Sequence, residues 1–147
     1  MSGPSGSGIV ESVFQKFYDA RGLYTERIAF DGRSDYDEFT RVGIPAGGIA
    51  AGAEVHKTPF QQSQWGGTVS DTLAGQFDPC YHLACDSYPV HGHPDNINDT
   101  ALDINSDAVA HSVLTFAMTT SSTNGTDKAS SNATKSDYEW KAGHRRR

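Results

Sequence analysis

Residues 78–86 concentrate more reactive side chains than any other part of the sequence, with Tyr81 and His82 lying between Cys80 and Cys85. A disulfide between the two cysteines would close a small loop and leave the histidine on a backbone with little freedom. Such rigidity suits a metal ligand, because an imidazole nitrogen must lie about 2.0–2.1 Å from a zinc ion. The segment therefore predicts a rigid loop that can present a metal ligand.

Two alternatives for this loop stay open on the residues alone. In the first, the bridge pins a surface loop and His82 is only solvated. In the second, Cys80, His82 and Cys85 bind one structural zinc, with or without a further ligand from His91 or His93. The spacing matches no common zinc module, and an oxidising compartment would favour the disulfide over the metal.

Composition limits the partners of the chain. Its 147 residues suffice for one globular domain, and a net charge of -6 gives no general reason to bind nucleic acid or anionic lipid. No apolar stretch approaches the roughly 20 residues of a membrane span. We expect neither nucleic-acid nor membrane partners.

Two features indicate export. The paired cysteines suit an oxidising compartment, and glycosylation sequons begin at Asn98, Asn124 and Asn132. They favour a secreted glycoprotein, although no signal peptide is present in residues 1–8. We therefore expect a fragment whose beginning is missing.

Helical periodicity is clearest near the two ends of the candidate domain. Apolar residues recur at spacings of three and four over residues 9–21, and Gly22 follows as a stop. A second helix is predicted from about Asp103, capped by Asn105 or Ser106. Its predicted inner face consists of Ala108, Val109, Ser112, Val113, Phe116 and Ala117.

Between these helices, residues 25–30 and 44–51 each predict a short strand, and the second strand is apolar enough to be buried on both faces. Ser34 is a candidate cap for a short helical turn between them. The order of helix, strand, turn and strand is typical of an α/β layer fold.

A short helix is predicted over residues 58–64, with proline in its first turn and Gly66 and Gly67 after its end. Beyond it the chain is irregular as far as the last helix. From about Thr120 onward, Ser, Thr, Asn, Lys and Gly dominate, a composition that cannot bury enough apolar surface to become ordered. The sequence thus predicts a domain over residues 1–119 and a disordered polar tail over residues 120–147.

Residues 78–86 resemble the last metal-binding loop of the secreted bacterial and fungal aminopeptidases of metallopeptidase family 28. Further blocks resemble this family in the same order, at residues 30–36, 42–48, 52–54 and 96–103. The resemblance extends roughly over residues 3–118. It implies a three-layer α/β/α sandwich with a mixed sheet, of which this chain would be the C-terminal half.

The resemblance also implies the chemistry of the complete enzyme. Two zinc ions would share a bridging carboxylate and a water, a glutamate would act as general base, and an N-terminal residue would be released from a peptide substrate. His82 matches a histidine that ligates one zinc, and Tyr81 matches a tyrosine that stabilises the oxyanion of the tetrahedral intermediate. Cys80 and Cys85 match the disulfide that surrounds this ligand.

Four other residues receive roles from the resemblance alone. Gly32 and Arg33 match residues close to the substrate pocket, where a glycine lets backbone approach the ligand and a guanidinium is a fixed cation. Asp103 and Asp107 match acidic residues that help hold a calcium ion in some relatives. The alternative for the two aspartates is that they only complement the dipole at the start of the last helix.

The zinc ligands that the family contributes from upstream have no counterpart here. The sequence has no Glu-Glu pair and no His-x-Asp before Gly32. Each zinc ion normally needs three or four ligands, so one histidine cannot hold two ions. We expect the isolated chain to be inactive without the missing N-terminal half. The alternative function is that of a catalytically dead homologue that serves as a binding or interaction domain.

Overall fold

The computed structural model describes residues 3–88, 96–121 and 123. These residues form four α-helices, which are α1 (Ser7–Asp19), α2 (Tyr36–Arg41), α3 (Pro59–Trp65) and α4 (Asp99–Met118), and one 3₁₀ turn at Leu73–Gly75. None of the described helices combines the length and the apolar character that crossing a membrane requires. Most of the predicted tail, as well as His91 and His93, lies outside the described residues.

The core lies where α1 packs against α4. Its buried apolar residues are Phe17 and Tyr18 of α1 and Ala108 of α4. The Tyr18 hydroxyl donates a hydrogen bond of 2.7 Å to Asn105 Oδ1, which ties the two helices together. Burial of one large apolar side chain is worth about 1.5–3 kcal/mol, so burial of Phe17 and Tyr18 stabilises this pair of helices. The helix predicted over residues 9–21 is confirmed within two residues at each end.

Helix α4 begins earlier than the sequence predicts. Its N-cap is Asn98, whose Oδ1 accepts the Ala101 N–H at 3.0 Å, so the predicted caps Asn105 and Ser106 are wrong. Both lie inside the helix, where Asn105 binds Tyr18 and Ser106 donates to the Leu102 carbonyl. The first turns of α4 are mostly exposed, and hydrophobic periodicity therefore misses them.

The predicted inner face of α4 is only partly correct. Ala108 and Ser112 are buried, whereas Val109 and Val113 are 45% and 62% exposed. Residues four apart, such as Ala108 and Ser112, lie above one another on the same face of a helix. Contact with α1 alone therefore buries only a narrow stripe of α4. The partly buried Ile104 extends that stripe toward the start of α4.

The two short helices have different caps. Helix α3 is confirmed: Thr58 forms a capping box with Gln61, and Gly66 ends the helix with a φ of 74°. The N-cap position of helix α2 is occupied by Asp35, which makes no side-chain hydrogen bond to the helix. The prediction that Ser34 caps this helix is therefore wrong.

The two predicted strands are not found. Residues 25–30 and 44–51 lie outside the helices without forming a strand, and the described residues contain only an isolated antiparallel bridge between His56 and Gln76. A strand depends on hydrogen bonds to its neighbours and is not stable alone in water. The predicted three-layer α/β/α sandwich therefore stays a prediction.

Candidate active site

A disulfide closes the loop that carries Tyr81 and His82. Cys80 and Cys85 are bonded, with their Cα atoms 5.3 Å apart, within the usual range for a disulfide. The backbone turns tightly inside the loop, where the Leu83 N–H donates to the Cys80 carbonyl at 2.9 Å. Neither sulfur is a thiolate in this structure, so the alternative of a structural zinc bound through both cysteines is not supported.

The ends of the disulfide loop are held together by side chains. Asp78 Oδ1 accepts hydrogen bonds from the Cys80 N–H and from Asn96 Nδ2, both at 3.0 Å. Asn96 Nδ2 also lies 3.3 Å from Asp86 Oδ1. One amide therefore connects both sides of the loop to the segment that leads into α4. Nothing in the sequence identifies Asp78 or Asn96 as a residue that holds the loop, although both lie in blocks that resemble the family.

Tyr81 and His82 form a stacked pair. Their ring centroids are 3.9 Å apart, and the ring planes differ by 17°. His82 has a φ of 57°, in the left-handed region that residues other than glycine seldom adopt, and it is exposed. Such a backbone conformation persists where the surroundings define it, and here the disulfide loop does so. The loop thus presents an imidazole beside a phenol.

An ion pair lies next to these rings. Arg33 Nη2 is 2.5 Å from Glu54 Oε1. The hydrogen bond and charge of Glu54 raise the pKa of Arg33, with smaller contributions from Asp31 and Tyr81. The pKa of Glu54 is lowered, first by its own backbone N–H, then by Arg33, and to a smaller extent by His82. Arg33 and Glu54 thus shift each other's pKa values in the directions that favour the charged pair, and the two aromatic rings contribute less.

The backbone around Gly32 is fixed by an aromatic side chain. The N–H groups of Asp31 and Gly32 donate to the Tyr36 hydroxyl at 3.0 and 2.9 Å. Gly32 has a φ of 82°, and a Cβ atom there would lie 2.8 Å from Asp37 Oδ1. A side chain at this position would be strained, so glycine is required where the chain leads into Arg33.

The turn before Glu54 is joined to the disulfide loop. Gly52 and Ala53 both have positive φ values, 97° and 44°, and the Val55 N–H donates to the Gly52 carbonyl at 3.0 Å. The Asp78 N–H donates to the Ala53 carbonyl at 2.9 Å. Glu54 is therefore placed relative to Tyr81 by a short run of backbone hydrogen bonds. Sequence reasoning matched this block to the family but did not identify Glu54 as a site residue.

Comparison with known proteins identifies the group to which the chain is related. No protein-family model matches it. It is 46% identical to leupeptin-inactivating enzyme 1 of Streptomyces exfoliatus over 108 residues, which are 73% of this chain and 22% of that protein. Leucine aminopeptidase 2 of Trichophyton equinum is 41% identical over 117 residues, 80% of this chain and 22% of that enzyme. The chain is homologous to aminopeptidases. An aminopeptidase of Pseudomonas aeruginosa is 41% identical over 110 residues, 75% of this chain and 19% of that enzyme.

These matches confirm the resemblance to aminopeptidases. They also show that the chain spans about a fifth of the length of these relatives. The 41–46% identity extends over most of the present chain, far beyond one motif. The similarity is therefore homology over most of this chain, and not a chance match of the disulfide loop.

The described part of this aminopeptidase homologue provides one candidate metal ligand at the loop and no complete metal site. No group of three or more His, Cys, Asp and Glu side chains among residues 3–88, 96–121 and 123 could hold an ion. His82 fits a single zinc ligand because its imidazole is exposed on a rigid loop. Asp103 and Asp107 are exposed on α4, four residues apart, and belong to no such group.

The structure therefore brings together some of the predicted site residues. Tyr81 and His82 stack on each other, Arg33 pairs with Glu54, and the hydrogen bond from the Asp78 N–H to the Ala53 carbonyl joins the two pairs. Gly32 precedes Arg33 in the same loop.

Proposed function

We propose that this chain provides one wall of the active site of a zinc-dependent aminopeptidase, with His82 as a zinc ligand and Tyr81 as the donor to the oxyanion. The observation that carries the proposal is the disulfide-closed loop, which presents the imidazole of His82 stacked on the phenol of Tyr81. Homology to aminopeptidases over most of the chain supports it.

Hydrolysis of an N-terminal peptide bond places a hydroxyl group on the carbonyl carbon and a proton on the leaving amine. As the carbonyl oxygen becomes negative, the Tyr81 hydroxyl donates a hydrogen bond to it, a role that suits a phenol. Arg33 adds a fixed positive charge nearby. Zinc, when bound, would polarise the same carbonyl and lower the pKa of its bound water.

The remaining ligands, a general base and the rest of the peptide site would come from outside this chain. Each zinc needs three or four ligands, and the described residues provide a single imidazole at the loop. We therefore propose that the chain is inactive by itself.

Exposed apolar surface supports the need for a covering partner segment. Among the described residues no large side chain is fully buried, and Ile28, Phe39, Leu114 and Met118 are all exposed. Large exposed apolar patches usually mark a surface that another part of a protein covers. Export with an intact disulfide, glycosylation of the sequons and calcium binding at Asp103 and Asp107 are further parts of this proposal.

A chimera tests the proposed function. In this chimera the chain replaces the matching segment of leucine aminopeptidase 2 of Trichophyton equinum, and release of p-nitroaniline from leucine p-nitroanilide is measured with and without zinc. Because loss of an outer-shell partner of a metal ligand already costs about 10–100-fold, His82→Ala should lower kcat/KM at least 100-fold. Tyr81→Phe should lower kcat about 100- to 1,000-fold.

The matched control is His56→Ala. His56 is also exposed, but it contacts the Ser70 carbonyl and not the disulfide loop. This variant should retain the activity of the unaltered chimera. Equal activity with and without His82 would refute the assignment of the ligand.

A further inference from the structure

We propose that Glu54 is a positioning residue that fixes the guanidinium of Arg33 for contact with an acceptor oxygen of the bound peptide. This inference rests on the proposed function, because it assigns Arg33 to the same peptide site. Glu54 itself would not touch the substrate.

The ion pair between Arg33 and Glu54 is suited to orienting a side chain and contributes little to stability. Arg33 is 62% exposed and Glu54 is 39% exposed, and ion pairs of this kind add little to the free energy of folding. Glu54 Oε2 is nevertheless buried, and no other residue in the described part of the chain donates a hydrogen bond to it. Oε2 is thus enclosed by the protein, while Oε1 forms the ion pair with the Arg33 guanidinium.

The backbone that carries Glu54 is unusually well defined. Gly52 has a φ of 97°, and a Cβ atom there would lie 2.5 Å from the Phe77 ring. Ala53 follows with a φ of 44°, a conformation that costs an alanine energy and persists only when its surroundings impose it. Hydrogen bonds from Phe77 to Val55 and from Asp78 to Ala53, both 2.9 Å, hold this turn. The carboxylate is therefore placed before any ligand binds.

Fixing Arg33 would matter for binding because arginine has a long, flexible side chain. A guanidinium has five N–H donors, and the bond to Glu54 leaves others free for a peptide oxygen. A side chain that is already ordered loses less entropy on binding, which lowers KM. The hydrogen bond from the Asp78 N–H to the Ala53 carbonyl joins the turn that carries Glu54 to the loop that carries Tyr81, and so connects the ion pair to the proposed oxyanion site.

The first test uses the 147-residue chain itself. The ¹⁵N relaxation of Arg33 Nε reports whether its side chain is ordered on the picosecond to nanosecond timescale. Glu54→Gln, which keeps the shape of the side chain, should make Arg33 mobile. Glu11→Gln is the matched control, because it removes an exposed ion pair with Arg27. It should leave Arg33 unchanged. An Arg33 side chain that stays ordered in Glu54→Gln would overturn the proposal.

The second test measures kinetics in the chimera with leucine aminopeptidase 2. Glu54→Gln should raise KM about tenfold and leave kcat within about threefold, as expected for loss of an interaction that binds ground state and transition state alike. Arg33→Lys should raise KM by a similar factor, and its effect should be much smaller in the Glu54→Gln background, because the two residues act as a unit. Additive effects of the two changes, or an equal rise in KM for Glu11→Gln, would overturn the proposal.

The two proposals fail in different ways. A chimera that is inactive, or whose activity does not depend on His82, contradicts the proposed function, and the relaxation of Arg33 in the chain still decides whether Glu54 orders it. An active, His82-dependent chimera with unchanged KM in Glu54→Gln contradicts only the role of Glu54.

Discussion

Replacing Cys80 and Cys85 by serine removes the covalent closure around Tyr81 and His82. The bridge joins residues five apart in sequence. In the chain-entropy model a loop of this length lowers the entropy of the unfolded chain by about 7 cal/mol/K. This corresponds to about 2 kcal/mol of stability at about 25 °C. The native loop keeps other contacts, such as the bonds of Asp78 and Asn96, so the fold should persist.

Urea denaturation of the 147-residue chain, followed by circular dichroism, measures this loss. The double serine variant should have a free energy of unfolding about 2 kcal/mol lower than the unaltered chain, with a similar dependence on urea concentration. Dithiothreitol should produce the same loss in the unaltered chain and no change in the variant. A difference below about 0.5 kcal/mol would refute the reasoning, because removal of a native disulfide typically costs several times more.

Three further predictions concern single residues. Asn98→Ala removes the cap of α4 and should lower the free energy of unfolding by about 1 kcal/mol in the same urea assay; no change would show that the helix start is not cooperative with the core. The lowered pKa of Glu54 contributes stability that is fully present above its unfolded pKa of about 4.3 and is lost as pH falls through the folded value, so the acid side of the stability profile should flatten in Glu54→Gln. An unchanged profile would contradict this assignment. Gly52→Ala places a Cβ against the Phe77 ring and should destabilise the chain by about 1–3 kcal/mol, whereas Gly8→Ala, which meets no atom within 4 Å, should not.

Local patterns in the sequence predict the helices well. The spacing of apolar residues in α1 and the proline in the first turn of α3 are local signals, and the structure confirms both helices. The start of α4 depends on Asn98, whose cap precedes turns that are mostly exposed and carry little hydrophobic pattern. Periodicity therefore places the helix start too late.

The strands and the ion pair depend on distant residues. Residues 25–30 and 44–51 have the composition of strands, but pairing requires partners that the described residues do not provide. Arg33 and Glu54 are 21 residues apart, and nothing near either residue identifies the other as its partner. In contrast, the disulfide is local, and both the cysteine pair and the enclosed histidine could be identified from the sequence.

The position of zinc relative to His82 tests the central claim most directly. Crystals of the chimera grown with zinc and measured at the zinc absorption edge would locate each ion by its anomalous scattering. The proposed function predicts an anomalous peak about 2.0–2.1 Å from a ring nitrogen of His82, with the Tyr81 hydroxyl facing the same cavity. A zinc peak in that cavity with the His82 ring directed elsewhere would contradict the claim.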